Sequence, residues 1–275
     1  MFGIILDDRL NSKIMKLKPS VQEIISVSNV SVIRGQKHVL KKISWSTRQD
    51  EHWFILGNNG SGKSTLLEII MGYLWPQSGS VKVLGYQYGE CFLPDVRMLF
   101  GFIAPWLIKR IRPYVPVVDV IASGENASVG FVDKISVRLR ALARKEAKLF
   151  GCESLLSKQF GVLSSGEQMR VVLARAMIHQ PKILIMDEPF SHLDMQARAH
   201  AYDILEKIAL RTNGPQVILV THHIQDICRM FTHGVVLREG KVAQCGSRNN
   251  ILKKNELAKV LGISEKHRHL LEGTA

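Results

Sequence analysis

Trp53-Phe54-Ile55-Leu56-Gly57-Asn58-Asn59-Gly60-Ser61-Gly62-Lys63-Ser64-Thr65 decides how the rest of this chain is read. Four apolar residues form a buried-strand pattern, the glycine-rich turn follows, and Leu66 to Met71 continues as a helix. A turn of this kind brings its backbone N–H groups against phosphate oxygens, which a Cβ would obstruct at Gly57, Gly60 and Gly62. Asn58, Asn59 and Ser61 complete the nest, and Thr65 sits in the first helical turn. Lys63 supplies a point charge to the β- and γ-phosphates, Ser64 offers a hydroxyl to Mg²⁺, and the helix start adds a favourable partial charge. Nucleotide binding is the expectation these residues set.

On the N-terminal side, Ile25 to Val32 alternates apolar and polar residues and Val39 to Trp45 does so less cleanly, with Arg34-Gly35-Gln36 between them. The spacing predicts two antiparallel strands, and Gly79 to Gly85 predicts a third. Residues 1–23 read as a loosely attached extension, with Met15 an alternative start. On the C-terminal side, Arg97 to Ile103 is strand-like. The segment from about 106 to 165 is helical in character, with helices expected over Val117 to Ala122 and Val137 to Phe150, the latter facing the core through Val137, Leu142, Leu149 and Phe150. Beyond it, a helix from Met169 to Ile178, a strand Ile183 to Met186, a helix Met195 to Leu210 and a strand Val217 to Val220 alternate, which implies right-handed crossovers and a parallel sheet. A hairpin around Glu239-Gly240 follows. The tail from 247 to 275 is partly helical by pattern.

The chain has 275 residues and 46% hydrophobic content, enough for one large α/β unit with a lobe. Its longest apolar runs fall far short of the roughly 20 residues that span a bilayer, and its first residues lack a basic leader, so neither a membrane span nor export is expected. Four separate cysteines, Cys91, Cys152, Cys228 and Cys245, read as ordinary thiols of a reducing cytoplasm. The formal net charge of +13 favours a polyanionic partner, nucleic acid or an anionic membrane surface, without choosing between them. The run Arg138, Arg140, Arg144, Lys145, Lys148 is either a solvated helix face or a binding patch.

In open α/β sheets ligands sit at the carboxyl ends of the strands. Here those ends carry the phosphate loop, then Asp187-Glu188, then Thr221-His222. Asp187 fits the holding of Mg²⁺, directly or through water. Glu188 near the γ-phosphate is placed to accept a proton from an attacking water, a role worth on the order of 10² to 10⁴ in rate, and His222 to hydrogen-bond that phosphate and keep the water in line.

Taken together the segments resemble the ATP-binding cassette of ATP-binding-cassette (ABC) proteins over roughly Ile24 to Gly246. The phosphate loop is Gly57 to Thr65, the family's signature segment resembles Leu163-Ser164-Ser165-Gly166-Glu167, the acidic strand is Ile183 to Glu188, the next loop resembles Ser191-His192-Leu193-Asp194, and the switch histidine matches His222. The Ser-Gly-Glu form of the signature and Glu51-His52-Trp53 look most like bacterial single cassettes of the molybdate-transport-related and photorepair type. The resemblance implies an α/β P-loop NTPase with a parallel core sheet, an antiparallel β subdomain and a helical signature lobe. It further implies a head-to-tail dimer, of two identical chains or with a related cassette, in which ATP and Mg²⁺ lie between one subunit's phosphate loop and the other's Ser164, Ser165, Gly166 and Glu167, with Asp194 on the seam.

By that resemblance the chain is the Mg-dependent ATPase of a transporter, peripheral on the cytoplasmic face of the membrane and docked on a separately encoded permease. The competing readings are a soluble ATP-driven clamp on nucleic acid or ribosomes, and a sensor that binds ATP without turnover. Two positions depart from the family. Where a glutamine is usual, the chain reads Ile103-Ala104-Pro105-Trp106, which leaves the usual coupling path to the lobe without its amide. Where an aromatic residue usually stacks on adenine, it has Ile33-Arg34-Gly35, so Arg34 either stacks through its guanidinium plane or is a plain turn arginine.

Overall fold

The structure, a computed structural model, describes residues 23–126, 135–211 and 213–262. The expected extension (apart from Glu23), residues 127–130 of the glycine-bearing stretch Gly124 to Gly130 that links the two helices expected in the lobe, and the basic end of the tail lie outside the described residues. The chain begins with β1 (Glu23–Arg34) and β2 (Lys37–Arg48), then β3 (Trp53–Leu56), α1 (Lys63–Ile70), β4 (Ser78–Val83) and β5 (Tyr86–Gln87). Next come α2 (Leu93–Arg97), β6 (Phe100–Ile103), α3 (Pro105–Arg110), α4 (Val117–Ala122) and α5 (Val137–Leu149). The second half holds α6 (Ser165–Met177), β7 (Ile183–Asp187), α7 (Met195–Ala209), β8 (Gln216–Thr221), β9 (His233–Arg238), β10 (Lys241–Ser247), α8 (Arg248–Ile251) and α9 (Lys254–Leu261).

Two sheets result. The antiparallel one runs β2-β1-β4-β5 and the larger one β10-β9-β3-β8-β7-β6, parallel throughout except for the β9–β10 hairpin. Both faces of the larger sheet are covered, so its strands carry continuous apolar runs rather than alternation. Trp53 and Ile55 of β3 pack with the antiparallel sheet and α1, while Phe54 and Leu56 point to the opposite face, where the helices of the lobe and α7 lie. Ile251 and Leu257 of α8 and α9 are buried against this second core.

Three local expectations change. Arg97 ends a short helix and the strand starts only at Phe100, because Pro94 opens a helical turn at its N1/N2 positions. The helix expected from Met169 begins at Ser165, since Ser164 and Glu167 cap it a full turn earlier. On α5 the buried residues are Leu139, Ala143, Glu146 and Ala147, with Phe150 buried at its C-terminal cap, while Val137 and Leu149 are 87% and 51% exposed. The cap at Ser136 sets the helical phase, and small alanines let α5 lie close to its neighbours. Arg138, Arg140, Arg144, Lys145 and Lys148 all stay exposed.

Candidate functional site

Strand register builds the site. Val220 of β8 lies beside Ile55 of β3 on one side and Asp187 of β7 on the other, and Thr221 pairs with Leu56. The three loops that follow, opening with Gly57, Glu188 and His222, therefore leave the sheet at one level. Gly57 is glycine for close approach: a Cβ there would lie 2.4 Å from the Leu237 carbonyl and 2.6 Å from Ser61 Oγ. Gly60 and Gly62 are glycine for conformation, with φ of +77° and +105°.

At the start of α1 the N-cap is Gly62, no side chain caps the helix, and no acid occupies its first turn. The first amides of a helix have no partner within it, so this end is open to an anion. Lys63 is folded into its own loop, donating from Nζ to the Gly57 carbonyl at 2.7 Å and to that of Asn58 at 3.2 Å. Burial lowers its pKa, opposed by the charges of Glu188 and then Asp187. Ser64, Asn58, Asn59 and Gly60 are exposed, whereas Ser61 and Thr65 are buried.

Asp187, at the end of β7, has its carboxyl pushed up to about 6, first by burial and then by the neighbouring Glu188 charge, with Lys63 opposing. Two carboxylates beside one folded-in lysine make a site short of positive charge, which a divalent cation beside Asp187 and the Ser64 hydroxyl would relieve. Among the described residues no three His, Cys, Asp or Glu side chains gather as a metal site, so such a cation would take much of its coordination from phosphate and water, as Mg²⁺ commonly does.

Glu188 adopts a left-handed backbone, φ +48°, which costs about 1–2 kcal/mol for a residue with a Cβ. Its N–H donates to the Val220 carbonyl at 2.8 Å, and its carbonyl accepts from Ser191 Oγ at 3.1 Å, so the turn is held from both sides. The turn brings Glu188 Oε1 to 2.8 Å from His222 Nδ1. An ionised carboxylate only accepts, so the ring nitrogen facing it carries the proton and Nε2 points away from Glu188. The sequence set Glu188 and His222 at separate strand ends and gave no contact between them; the structure brings them together.

The signature residues form a second cluster. Ser164 caps α6: its Oγ accepts from Glu167 N at 3.3 Å, and Glu167 Oε2 accepts from Ser164 N at 2.8 Å. That bond from the Ser164 amide holds the Glu167 carboxyl below the usual range. A Cβ on Gly166 would stand 2.9 Å from Ala197 Cβ, and Ala197 N donates to Asp194 Oδ1 at 2.7 Å. The start of α6 at Gly166 thus lies against the first turn of α7, which Asp194 caps. Among the described residues, Ser164 to Glu167 make no hydrogen bond to the phosphate loop, Asp187, Glu188 or His222.

Arg34 is exposed and paired through Nη2 with Glu68 Oε2 of α1, a partner the sequence did not suggest because the two stand 34 residues apart. A cavity of about 490 Å³ runs from Ser64 and Asp187 to the lobe, past Tyr73, Trp106, Arg97 and Arg175. At the junction without the glutamine, Ala104 is fully buried and Trp106 reaches the cavity, its ring against Phe102 and under Arg110. No helix among the described residues is long and apolar enough to cross a membrane.

The sequence profile of the ABC transporter family matches residues 40–191. The chain is 34% identical over 235 residues to the ABC transporter ATP-binding protein YmeB of Lactococcus lactis, covering 85% of this chain and 90% of that one. It is 31% identical to the molybdate/tungstate import ATP-binding protein WtpC of Pyrococcus horikoshii, over 86% of this chain and 66% of the other. Among solved structures, it superposes on the dimeric structure of MJ0796, a bacterial ABC transporter cassette, with a TM-score of 0.68 and 25% identity, over 81% of this chain and 98% of that one.

Proposed function

This chain belongs to the ABC transporter family of ATP-binding cassettes and is an ATPase, and on that footing we propose that it energises a separately encoded membrane permease through ATP-driven closure of a cassette dimer. The open start of α1 and Lys63 take the β- and γ-phosphates. Ser64 and Asp187 would hold Mg²⁺, which would supply positive charge to the terminal phosphates. Glu188 accepts the proton of the attacking water, and His222, oriented by Glu188, sets the water's line to the γ-phosphate. Ser164 to Glu167 and Asp194 of one subunit complete the other subunit's site, as an assembly like the dimeric cassette MJ0796 would allow.

The observation that carries the coupling half of this reading is the cavity from Ser64 and Asp187 to the lobe. Tyr73 and Trp106 on its wall are 62% and 46% exposed. Exposed aromatics at a concave surface are the usual anchors of a protein partner. A permease segment seated there would touch both α1, which carries the phosphates, and the lobe, which carries the signature. On this reading the protein works at the membrane's cytoplasmic face. The relative named for molybdate/tungstate import supports a role in uptake.

The test begins with Glu188→Gln, which should bind ATP while its turnover falls on the order of 10²-fold or more. The tagged variant, purified gently from detergent-treated cells with and without nuclease, is expected to retain a polytopic membrane protein that Trp106→Ala releases. Ribosomal proteins or nuclease-sensitive nucleic acid in its place would overturn the transport reading in favour of a clamp, with the exposed cations of α5 as its surface. Full turnover in both Lys63→Ala and Glu188→Gln would overturn the chemistry.

A further inference from the structure

Behind the site, the two loops that carry Glu188 and His222 are tied together by a buried carboxylate. Asp226 is 2% exposed. Its Oδ2 accepts from Thr221 Oγ1 at 2.7 Å, and Thr221 is the residue immediately before His222. Its Oδ1 lies 3.3 Å from Arg198 Nη1, and Arg198 Nη2 donates to the Phe190 carbonyl at 3.4 Å, two residues after Glu188. Tyr202 makes a parallel tie: its hydroxyl donates to the Gln225 carbonyl at 3.0 Å while its ring meets Phe190 edge-on at 5.1 Å. Arg198 and Tyr202 are four residues apart on α7, hence on one face of that helix.

Burying a carboxylate is expensive unless it is paired and hydrogen-bonded, and removing one partner of such a pair leaves an uncompensated charge. The apolar Ile224 and Ile227 also anchor this loop in the core. What the charge adds is direction. It fixes Thr221, and therefore His222, relative to the backbone just beyond Glu188, across two loops that the sheet alone aligns only at their first residues.

We propose that Asp226 and Arg198 are positioning residues that hold the His222 ring in register with the Glu188 carboxylate, so that turnover depends on this pair while ATP binding does not. The inference rests on the roles given above to Glu188 and His222. Reacting groups must sit within a narrow geometric window, and a displacement on the order of 1 Å at a distance from the chemistry costs up to about a hundredfold in rate. Among the described residues neither Asp226 nor Arg198 makes a hydrogen bond or ion pair to the phosphate loop, which is why binding and turnover are expected to separate.

Asp226→Asn keeps an acceptor for Thr221 and removes the charge facing Arg198. In the full-length protein, kcat for ATP hydrolysis is expected to fall about tenfold or more, with the Kd for ATP and the Tm held near the parent values. Arg198→Lys, which keeps the charge, should retain more turnover than Arg198→Gln. Parent-like kcat in folded Asp226→Asn would overturn the proposal, as would kcat, Kd and Tm falling together, the mark of a merely structural role. If Asp226→Asn does not fold, the double variant Asp226→Asn/Arg198→Gln, which leaves neither charge buried without its partner, decides by the same criteria. Glu188→Gln and His222→Ala run alongside: if both keep turnover, the assignment of the reacting groups fails, whereas if both lose it and Asp226→Asn does not, only the positioning role fails.

Discussion

The molecule has two helix starts that its sequence marks as anion sites, and they are built in opposite ways. At α1 the cap is a glycine with no side chain and no acid follows in the first turn, so no side chain caps the amides, while Lys63 is folded back on the Gly57 and Asn58 carbonyls rather than on an internal acid. At α6 the start is closed by a full capping box between Ser164 and Glu167. The first is ready for phosphate as it stands. The second already holds a carboxylate of its own, so an incoming phosphate meets a negative neighbour and a serine whose oxygen is engaged. Ser164 accepts through a lone pair and keeps its O–H proton, and that proton is what it has to offer a phosphate. The difference teaches that a helix dipole alone does not make two equivalent sites: the start of α1 carries no side-chain cap, whereas that of α6 is closed by its own carboxylate.

Three substitutions sharpen or break this contrast. The largest effect is expected of Lys63→Ala, which removes the charge from the open helix start; ATP turnover should fall by at least about a hundredfold, with ATP affinity lost in a direct binding assay. If affinity survives, the α1 amides suffice and the lysine is not the anchor. Ser164→Ala is intermediate. It deletes the cap and the free hydroxyl proton, so the protein should lose about 1 kcal/mol of stability and about tenfold in turnover, with ATP binding by the single subunit unchanged. A fall in single-subunit binding would mean that α6 serves its own chain's nucleotide.

The smallest effect belongs to Glu167→Gln, which keeps the capping geometry and removes the charge. The Glu167 carboxyl is held below its ordinary 4.5 by the Ser164 amide, so the charged form stabilises the fold above that range and the contribution fades as pH falls through the folded-state value. The variant should melt slightly lower than the parent at pH 7, with the gap closing in acid. A gap that grows in acid would show that the carboxylate opposes folding.

Much of the phosphate-binding region was legible in advance because it is local. A buried strand, a turn that needs glycine at Gly57, Gly60 and Gly62, and a helix are contiguous, and each imposes its own backbone requirement on neighbouring residues. The antiparallel pair β1–β2 and the β9–β10 hairpin were legible for the same reason. The lobe was read less well. Val137 and Leu149 are apolar at plausible spacing, yet the cap at Ser136 turns them to the surface and buries Ala143 and Ala147, which carry no strong signal of their own. Likewise α6 started a turn early because a capping box outweighs an apolar count.

The sequence by itself determined that this chain has a nucleotide-binding strand–turn–helix, acids and a histidine at strand ends, and the order of elements that makes a parallel sheet. Those follow from periods and turn chemistry, which act over a few residues. Only the tertiary structure decided that Glu188 and His222, 34 residues apart, sit 2.8 Å from each other, that Arg34 is paired with Glu68, and that Asp226 reaches Arg198. Such contacts depend on which strands lie side by side and in what register. Here Val220, flanked by Ile55 and Asp187, sets the level at which all three loops begin.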